Sequence, residues 1–256
     1  MSNKLKNRFR TLTVLILSIC AWVLIWDLTS YLFDFKVIFP GPADTIRTLI
    51  KLLAELSFWK SVMYSFLRIF TGLLLGVLFG IIITLISRAL PFLNHFIYIG
   101  MSVIKSTPVA SIVLILWIII DGNSNLPSLI AVMMVAPIVW QNLNDGFNSI
   151  SKQLLEVAKV FEFSKIKSIT VVYIPTLFQH FIPAVLSSVG LAWKAGISAE
   201  VIAYTKNSIG KSIADAKSYF EGDVLFAWTL VVVLISITLE YAVKFLLRRY
   251  NKNVKA

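Results

Sequence analysis

Six ionisable side chains lie within or beside the long apolar stretches of this 256-residue chain. They are Asp27, Arg68, Lys105, Lys194, Glu200 and Glu240. A Lys, Arg or Asp at the centre of a membrane helix costs about 2.5–3.5 kcal/mol, so such groups usually face a partner or a water-filled cavity. The chemistry open to them is therefore ion pairing or contact with a polar solute. For Arg68 and Glu240, near predicted helix ends, extension of the side chain toward the membrane surface is the alternative.

Two of these charges, Lys194 and Glu200, share one apolar segment with Trp193. Because a spacing of six residues places the two charges on opposite sides of a helix, they are not expected to pair with each other. Two interpretations stay open. The three residues line or gate a path for a solute, or they pair with other helices as structural groups.

A second candidate for such a path is the tetrapeptide Lys105-Ser106-Thr107-Pro108. Proline removes one backbone hydrogen bond and bends a helix, and the hydroxyls of Ser106 and Thr107 can satisfy the freed carbonyls. Bends at membrane depth flank a pathway or are purely architectural, and the sequence leaves both open. Basic groups in such a path would favour an anionic solute.

Motifs of enzymes are missing from the sequence. It contains no H-E-x-x-H, no Ser-centred glycine motif and no Walker-type G-x-x-x-x-G-K-[ST]. The chain is therefore predicted to be non-catalytic and unable to hydrolyse ATP, with no cofactor or metal of its own.

The composition points to the bilayer. Apolar residues make up 58% of the chain and charged residues 14%, with a mean hydropathy of +0.83, whereas a soluble domain is nearer half apolar and a quarter charged. Since about 20 apolar residues cross a hydrocarbon core, we predict an all-α, polytopic membrane protein with about six transmembrane helices in a single transmembrane domain, residues 1–256. The predicted spans are residues 11–32, 62–87, 92–120, 126–143, 176–204 and 224–247.

The net charge of +11 is concentrated at the termini and in short loops, which favours topology signals over nucleic-acid binding. With the N-terminus inside, the cytoplasmic side carries the excess of Lys and Arg, including Arg8 and Arg10 before the first span and Arg248 and Arg249 after the last. Both termini and the polar segment 145–168 are therefore predicted to be cytoplasmic. Residues 39–61 are amphipathic and are predicted to lie at the membrane surface.

Within the second span, Gly72, Gly76 and Gly80 recur every four residues. On a helix they form one smooth stripe that another backbone can approach closely. Packing within the same subunit and contact with a second subunit are both open.

The polar segment 145–168 carries an amphipathic helix between two spans. Leu154, Val157, Ala158 and Phe161 fall at helical spacing. After Phe161 the pattern breaks, and Ser164 is a good N-cap for a second helix. Because a solvated loop would not need this much apolar surface, the helix is expected to dock onto a partner.

This segment resembles the cytoplasmic loop motif of ABC importer permeases. The family pattern is Glu-Ala-Ala, three residues, Gly, nine residues, Ile, one residue and Leu-Pro. Here Glu156-Val157-Ala158, position 162 and Val172-Tyr173-Ile174-Pro175 match its spacing. Residues 65–72, 105–117 and 190–202, within a similar region of about 39–250, resemble the nitrate, sulfonate and taurine branch.

The resemblance implies a set of partners and a role for the loop 145–175. Its short coupling helix would insert into a groove of a cytoplasmic ATP-binding subunit, which holds ATP and Mg²⁺. A second permease copy or paralogue would complete the path in a bacterial inner or plasma membrane. An extracytoplasmic solute-binding protein would deliver a sulfonate, nitrate, taurine or vitamin precursor. A self-contained ion-coupled carrier or channel is the alternative.

One position departs from the family pattern, because Glu162 stands where the family has Gly. A left-handed residue at a helix end suits Gly and costs other residues roughly 1–2 kcal/mol. Either the turn has another shape here, or partner binding offsets the strain.

Overall fold

The computed structural model describes the backbone of residues 3–32, 38–120 and 124–253, and the side chains of residues 10–32, 38–120 and 124–245. The described residues form helices joined by short turns, which confirms the predicted fold class. The helices are α1 (Asn3–Leu32), α2 (Pro42–Leu53), α3 (Leu56–Ala89), α4 (Pro91–Ser106), α5 (Val109–Ile120), α6 (Leu126–Asn148), α7 (Lys152–Val160), α8 (Lys165–Ser168), α9 (Ile174–Ala203), α10 (Ile209–Ser218) and α11 (Gly222–Asn253). A π-helical turn, Ile169–Tyr173, precedes α9.

Five helical stretches in the described chain are long and apolar enough to cross a membrane. They are Arg10–Leu32, Leu56–Ala89, Leu126–Asn148, Lys165–Ala203 and Gly222–Phe245. The helices α4 and α5 pass the same test as a pair, but they are bent by 103° at the break between them. The spans number six if this bent pair is one of them.

The break between α4 and α5 falls at Pro108, where the sequence predicted a bend in the helix. The hydroxyls of Ser106 and Thr107 donate to the Val103 carbonyl at 3.1 and 2.7 Å, and the Thr107 amide donates to the same oxygen at 3.0 Å. Pro108 has no amide hydrogen to continue the helix. Because the Val103 carbonyl already accepts from the Thr107 amide, the two hydroxyls add to a bonded carbonyl and do not satisfy the one that Pro108 frees at Ile104, contrary to the prediction.

The chain separates into two compact units, one formed by Met1–Trp59 with Ser212–Val231 and the other by Lys60–Lys211 with Val232–Ala256. In the first unit, the Trp26 indole donates to the Pro40 carbonyl at 3.1 Å, and the Thr48 hydroxyl donates to Asp223 at 2.6 Å. Its aromatic core includes Trp228, which stacks on Phe58 at 4.7 Å. The single domain over residues 1–256 stays a prediction.

The second unit is built around α6 and α9. Ile130, Val135 and Val139 of α6 are fully buried. Ala195 and Ala199 of α9 belong to the same apolar cluster as Ile130. The small side chains on α9 allow the two helices to pack closely, and this packed pair carries the candidate site.

Two predicted boundaries are wrong. The surface helix predicted over 39–61 stops with α2 at Leu53, where the Ala54 and Glu55 amides donate to the Lys51 and Leu52 carbonyls and close the helix. Residues 56–61 belong to α3 instead, because Phe58 is 3% exposed and packs into an aromatic core. The fourth span, predicted to end at residue 143, continues as helix to residue 148.

Some sequence predictions lie outside the described residues. These are the side chains of Arg8, Arg248 and Arg249, which belong to the predicted cytoplasmic excess of basic residues.

Candidate functional site

The predicted coupling helix is α7, which follows α6 after a short turn. Ser151 is its N-cap, since the Leu154 amide donates to the Ser151 hydroxyl at 3.2 Å. A Ser side chain in this place satisfies one of the free amides of the first turn. The helix is thus defined by its own sequence as well as by packing.

The end of α7 has the shape that the family glycine would give. Glu162 has a φ of +49°, in the left-handed region. The Phe163 amide donates to the Ala158 carbonyl at 2.9 Å, and the Glu162 amide donates to the Lys159 carbonyl at 3.0 Å. These two bonds are those of a Schellman turn. The turn is therefore kept, and Glu162 carries the backbone strain.

The apolar stripe predicted on α7 divides into two parts. Ala158 is buried against its own chain, at 7% exposure. Leu154 and Val157 are each 48% exposed, and Phe161 is 70% exposed. The sequence analysis missed Val160, which is 79% exposed and lies three residues after Val157. This outward apolar surface, Leu154, Val157, Val160 and Phe161, is named the α7 face.

After the turn at Glu162, the chain continues through α8 and a π-helical turn into α9. Ser164 caps α8 as predicted, accepting from the Lys167 amide at 3.3 Å. In the π-helical turn that follows, the Ile174 amide donates to the Ile169 carbonyl, and Pro175 beside it has no amide to donate. Glu156 and Pro175 of the family motif are exposed.

The glycine stripe of α3 lies against α6 in the same unit. A Cβ added at Gly76 would lie 2.7 Å from the Val135 Cβ, and one at Gly80 would lie 2.7 Å from the Val139 Cβ. Gly72 meets the Ser128 carbonyl in the same way. The geometry favours packing within one subunit for all three glycines.

Glu200 is fully buried at the C-terminal end of α9. Its Oε2 atom accepts from the Ser65 hydroxyl at 2.7 Å and from the Gly210 amide at 3.2 Å, while the Ser65 oxygen accepts from the Ile209 amide at 2.9 Å. Its Oε1 atom lies 3.9 Å from an Arg68 nitrogen. We name these five residues the Glu200 clamp, and its geometry supports the structural alternative for Glu200.

Arg68 also serves the clamp rather than the membrane surface. Its guanidinium donates to the carbonyls of Lys206 and Asn207 at 3.1 and 3.2 Å. These carbonyls follow Tyr204, whose φ of +52° ends α9 in a second left-handed turn. Ser65 lies 135 positions from Glu200 in the sequence, so no local pattern could have indicated this part of the clamp.

The two other candidates on α9 have different surroundings. Trp193 is 1% exposed and its indole donates to the Val232 carbonyl at 3.0 Å, as a structural group does. Lys194 and Ser198 are exposed, while Ala195 and Ile197 are buried. Lys194 thus lies on the one open side of an otherwise covered helix, and its place on a path stays a prediction.

Lys105 lies at the end of α4 and donates to the Gln141 side-chain oxygen on α6. Beside this contact is a polar cavity of about 560 Å³. The sequence analysis missed its α6 residues, because Trp140 and Gln141 were taken only as part of the fourth span and Asn144 and Asn148 lay beyond its predicted end at residue 143. The repetition of Gln141, Asn144 and Asn148 at spacings of three and four was the signal that could have shown them.

The fold is similar to those of solved ABC transporters. The structure of a bacterial transporter for the acidic polysaccharide alginate covers 96% of this chain and 98% of its own at 15% identity, with a TM-score of 0.61. An amino acid transporter described with histidines covers 75% of this chain and 93% of its own at 15% identity, with a TM-score of 0.62. At this identity the similarity shows the fold alone.

Curated relatives match over most of the chain. The putative aliphatic sulfonates transport permease protein SsuC of Bacillus subtilis is 24% identical over 84% of this chain and 78% of its own length. A probable ABC transporter permease protein of Haemophilus influenzae is 26% identical over 89% of this chain and 92% of its own length. Residues 72–255 match the family described as binding-protein-dependent transport system inner membrane component. The chain therefore belongs to this family, as a non-catalytic, multi-pass inner-membrane permease of a binding-protein-dependent ABC importer, a class of complex that implies ATPase and binding-protein partners.

Proposed function

We propose that this permease moves a small sulfonate-like solute into the cytoplasm, with nitrate, taurine and vitamin precursors in the same range of substrates. The relative named for aliphatic sulfonates supports this substrate class. Two copies, or this chain with a paralogue, enclose the path, and a solute-binding protein delivers the solute from outside. The excess of Lys and Arg supports cytoplasmic termini and a cytoplasmic α7.

The observation that carries the proposal is the α7 face. Four apolar side chains point outward from a short, capped helix, and the described part of its own unit leaves them open, since Leu154, Val157, Val160 and Phe161 are between 48% and 79% exposed. Exposed apolar area of this kind marks an interaction site. A helix of this shape fits an apolar groove on an ATP-binding subunit.

The positions of α7 and Pro175 support a mechanical role for the loop. The helix is joined to α6 by residues 149–151 and to α9 by α8 and the π-helical turn. Because α6 and α9 form the packed pair at the centre of the second unit, a push on the α7 face reaches both. Tilting of this pair would give alternating access at Lys105 and Lys194.

Copurification of the ATPase with the tagged permease from its native membrane tests the proposal. The double variant Val157→Asp with Val160→Asp is expected to lose the ATPase, because two carboxylates would be buried in an apolar contact. Lys165→Asp is the matched control, since it changes the net charge by the same −2 in the same loop but on a different helix. Retention of the ATPase by the double variant, or no ATPase with the unmodified chain, would contradict the proposal. The second result would favour a self-contained carrier.

A further inference from the structure

The polar cavity beside Lys105 is lined by charged, amide and aromatic side chains. It is enclosed by the end of α3, by α4 and by the C-terminal half of α6, with a volume of about 560 Å³. The lining residues that define its chemistry are Arg88, Lys105, Trp140, Gln141, Asn144 and Asp145.

The amide oxygens on this wall are already occupied by cations. Lys105 donates to the Gln141 oxygen, and the Arg88 Nε donates to the Asn144 side-chain oxygen at 3.0 Å. Since Lys and Arg only donate, both amide groups must turn their oxygen to the cation and their NH₂ group away. The parts of these amides that remain unpaired at the cavity are therefore NH₂ groups, which donate.

Two of the donors are buried and lack an acceptor within the described part of the chain. They are the Trp140 Nε1 and the Asn144 Nδ2. Trp140 is only 5% exposed, so bulk water does not replace the missing acceptor. Buried donors are almost always hydrogen-bonded, and the wall is thus incomplete without a ligand that accepts.

The charge and the apolar surface of the cavity further narrow the range of ligands that could bind there. Arg88 and Lys105 contribute two positive charges and Asp145 one negative charge, so the wall is net cationic. The rings of Tyr98 and Trp140 lie 6.1 Å apart and provide an apolar surface next to the donors. A ligand with several acceptor oxygens, one negative charge and a short apolar part satisfies each of these features.

We propose that this cavity binds the transported solute through its oxyanion group, with the Trp140 indole and the Asn144 amide as the donors and Lys105 as the counter-ion. The proposal rests on the proposed function, and it adds a solute site within the permease itself. Arg88 orients the Asn144 amide, because its Nε donates to the Asn144 side-chain oxygen and its Nη2 donates to the Asn144 backbone carbonyl.

The test uses the intact transporter, purified with its ATPase subunits in dodecyl maltoside, and sodium ethanesulfonate as the probe. Ethanesulfonate is expected to raise the thermal unfolding temperature above that in sodium chloride of equal ionic strength, because it binds the folded state. Trp140→Phe keeps the ring and removes the donor. It is expected to raise the half-saturating ethanesulfonate concentration roughly tenfold, as one hydrogen bond to a charged group is lost.

A second measurement on Trp140→Phe is its unfolding temperature without ethanesulfonate. That temperature would fall if the indole N–H had a structural role. Without ethanesulfonate, Trp140→Phe should unfold at the same or a higher temperature, because it removes a buried donor that has no acceptor. Trp117→Phe is the matched control, since Trp117 on α5 does not line the cavity and is 44% exposed. It should leave ethanesulfonate binding unchanged.

Three results would overturn the proposal: no shift beyond that of chloride, equal effects of Trp140→Phe and Trp117→Phe, or a shift produced by phosphatidylglycerol and not by ethanesulfonate. The last would assign the cavity to a lipid headgroup. Retention of the ATPase is measured separately with the α7 variants. A transporter that keeps its ATPase but ignores ethanesulfonate therefore refutes the cavity site and leaves ATPase docking intact.

Discussion

The two ends of the α9 segment use the same turn in opposite surroundings. Glu162, before α8, and Tyr204, after α9, both have a left-handed backbone in which glycine is usual. The Tyr204 turn is held by the Glu200 clamp, whose members bond to each other inside the subunit. The Glu162 turn ends a helix whose apolar face is open. A closed end fixes the span, and an open end is free to receive a partner.

The largest expected effect comes from disrupting the Glu200 clamp, which holds the Tyr204 turn. Glu200→Leu would leave the Ser65 hydroxyl and the Gly210 amide without their acceptor and Arg68 without its nearest carboxylate. We expect a loss of about 3 kcal/mol in the free energy of unfolding, as when one partner of a buried ionic network is removed. Thermal unfolding in detergent measures it.

Glu221→Leu is the control for this change, because Glu221 is exposed. Ser65→Ala should give an intermediate loss of about 1–2 kcal/mol, since it removes one hydroxyl from the same clamp. Equal stability of Glu200→Leu and Glu221→Leu would remove the distinction between the two ends.

A smaller and different effect is expected in the middle of α9. Lys194→Gln removes a charge from the open side of the helix, so the free energy of unfolding should change by no more than about 0.5 kcal/mol. Uptake of the solute by proteoliposomes should fall severalfold, with the ATPase still bound. Lys217→Gln, at another exposed lysine, should leave uptake unchanged. Loss of the variant from the membrane would instead assign Lys194 a structural role.

The smallest effect is expected from relieving the two left-handed turns. Glu162→Gly and Tyr204→Gly each remove roughly 1–2 kcal/mol of backbone strain, offset by about 0.4–1 kcal/mol from the more flexible unfolded chain. A net gain of about 0–1.6 kcal/mol in the free energy of unfolding is expected for each, with transport intact. A loss of ATPase-coupled uptake in Glu162→Gly alone would show that its carboxylate contacts the partner.

Much of the fold followed from local patterns. Apolar length predicted the spans, Pro108 predicted the break between α4 and α5, and Ser164 predicted the start of α8. These features depend on residues within a few positions of each other, so the sequence displays them directly.

The features that escaped prediction depend on distant residues. The Glu200 clamp joins Ser65 to a carboxylate 135 positions away. The burial of Ala158 depends on how α7 lies on its own unit, so a periodic stripe could not separate it from Val157. The early start of α3 at Leu56 depends on Phe58 stacking on Trp228, which lies near the other end of the chain.

The contact between Gly76 and Val135 has a consequence for how far a small movement can carry. Because the Val135 side chain packs directly on the Gly76 backbone, α3 and α6 lie close together and would move as one lever arm. At 23 residues, α6 is about 35 Å long. A rotation of about 10° at its junction with α7 would displace the opposite end by about 6 Å. A helix pair locked together at the glycine stripe would thus turn a slight displacement at one end of α6 into a separation at the other end that could admit a small molecule.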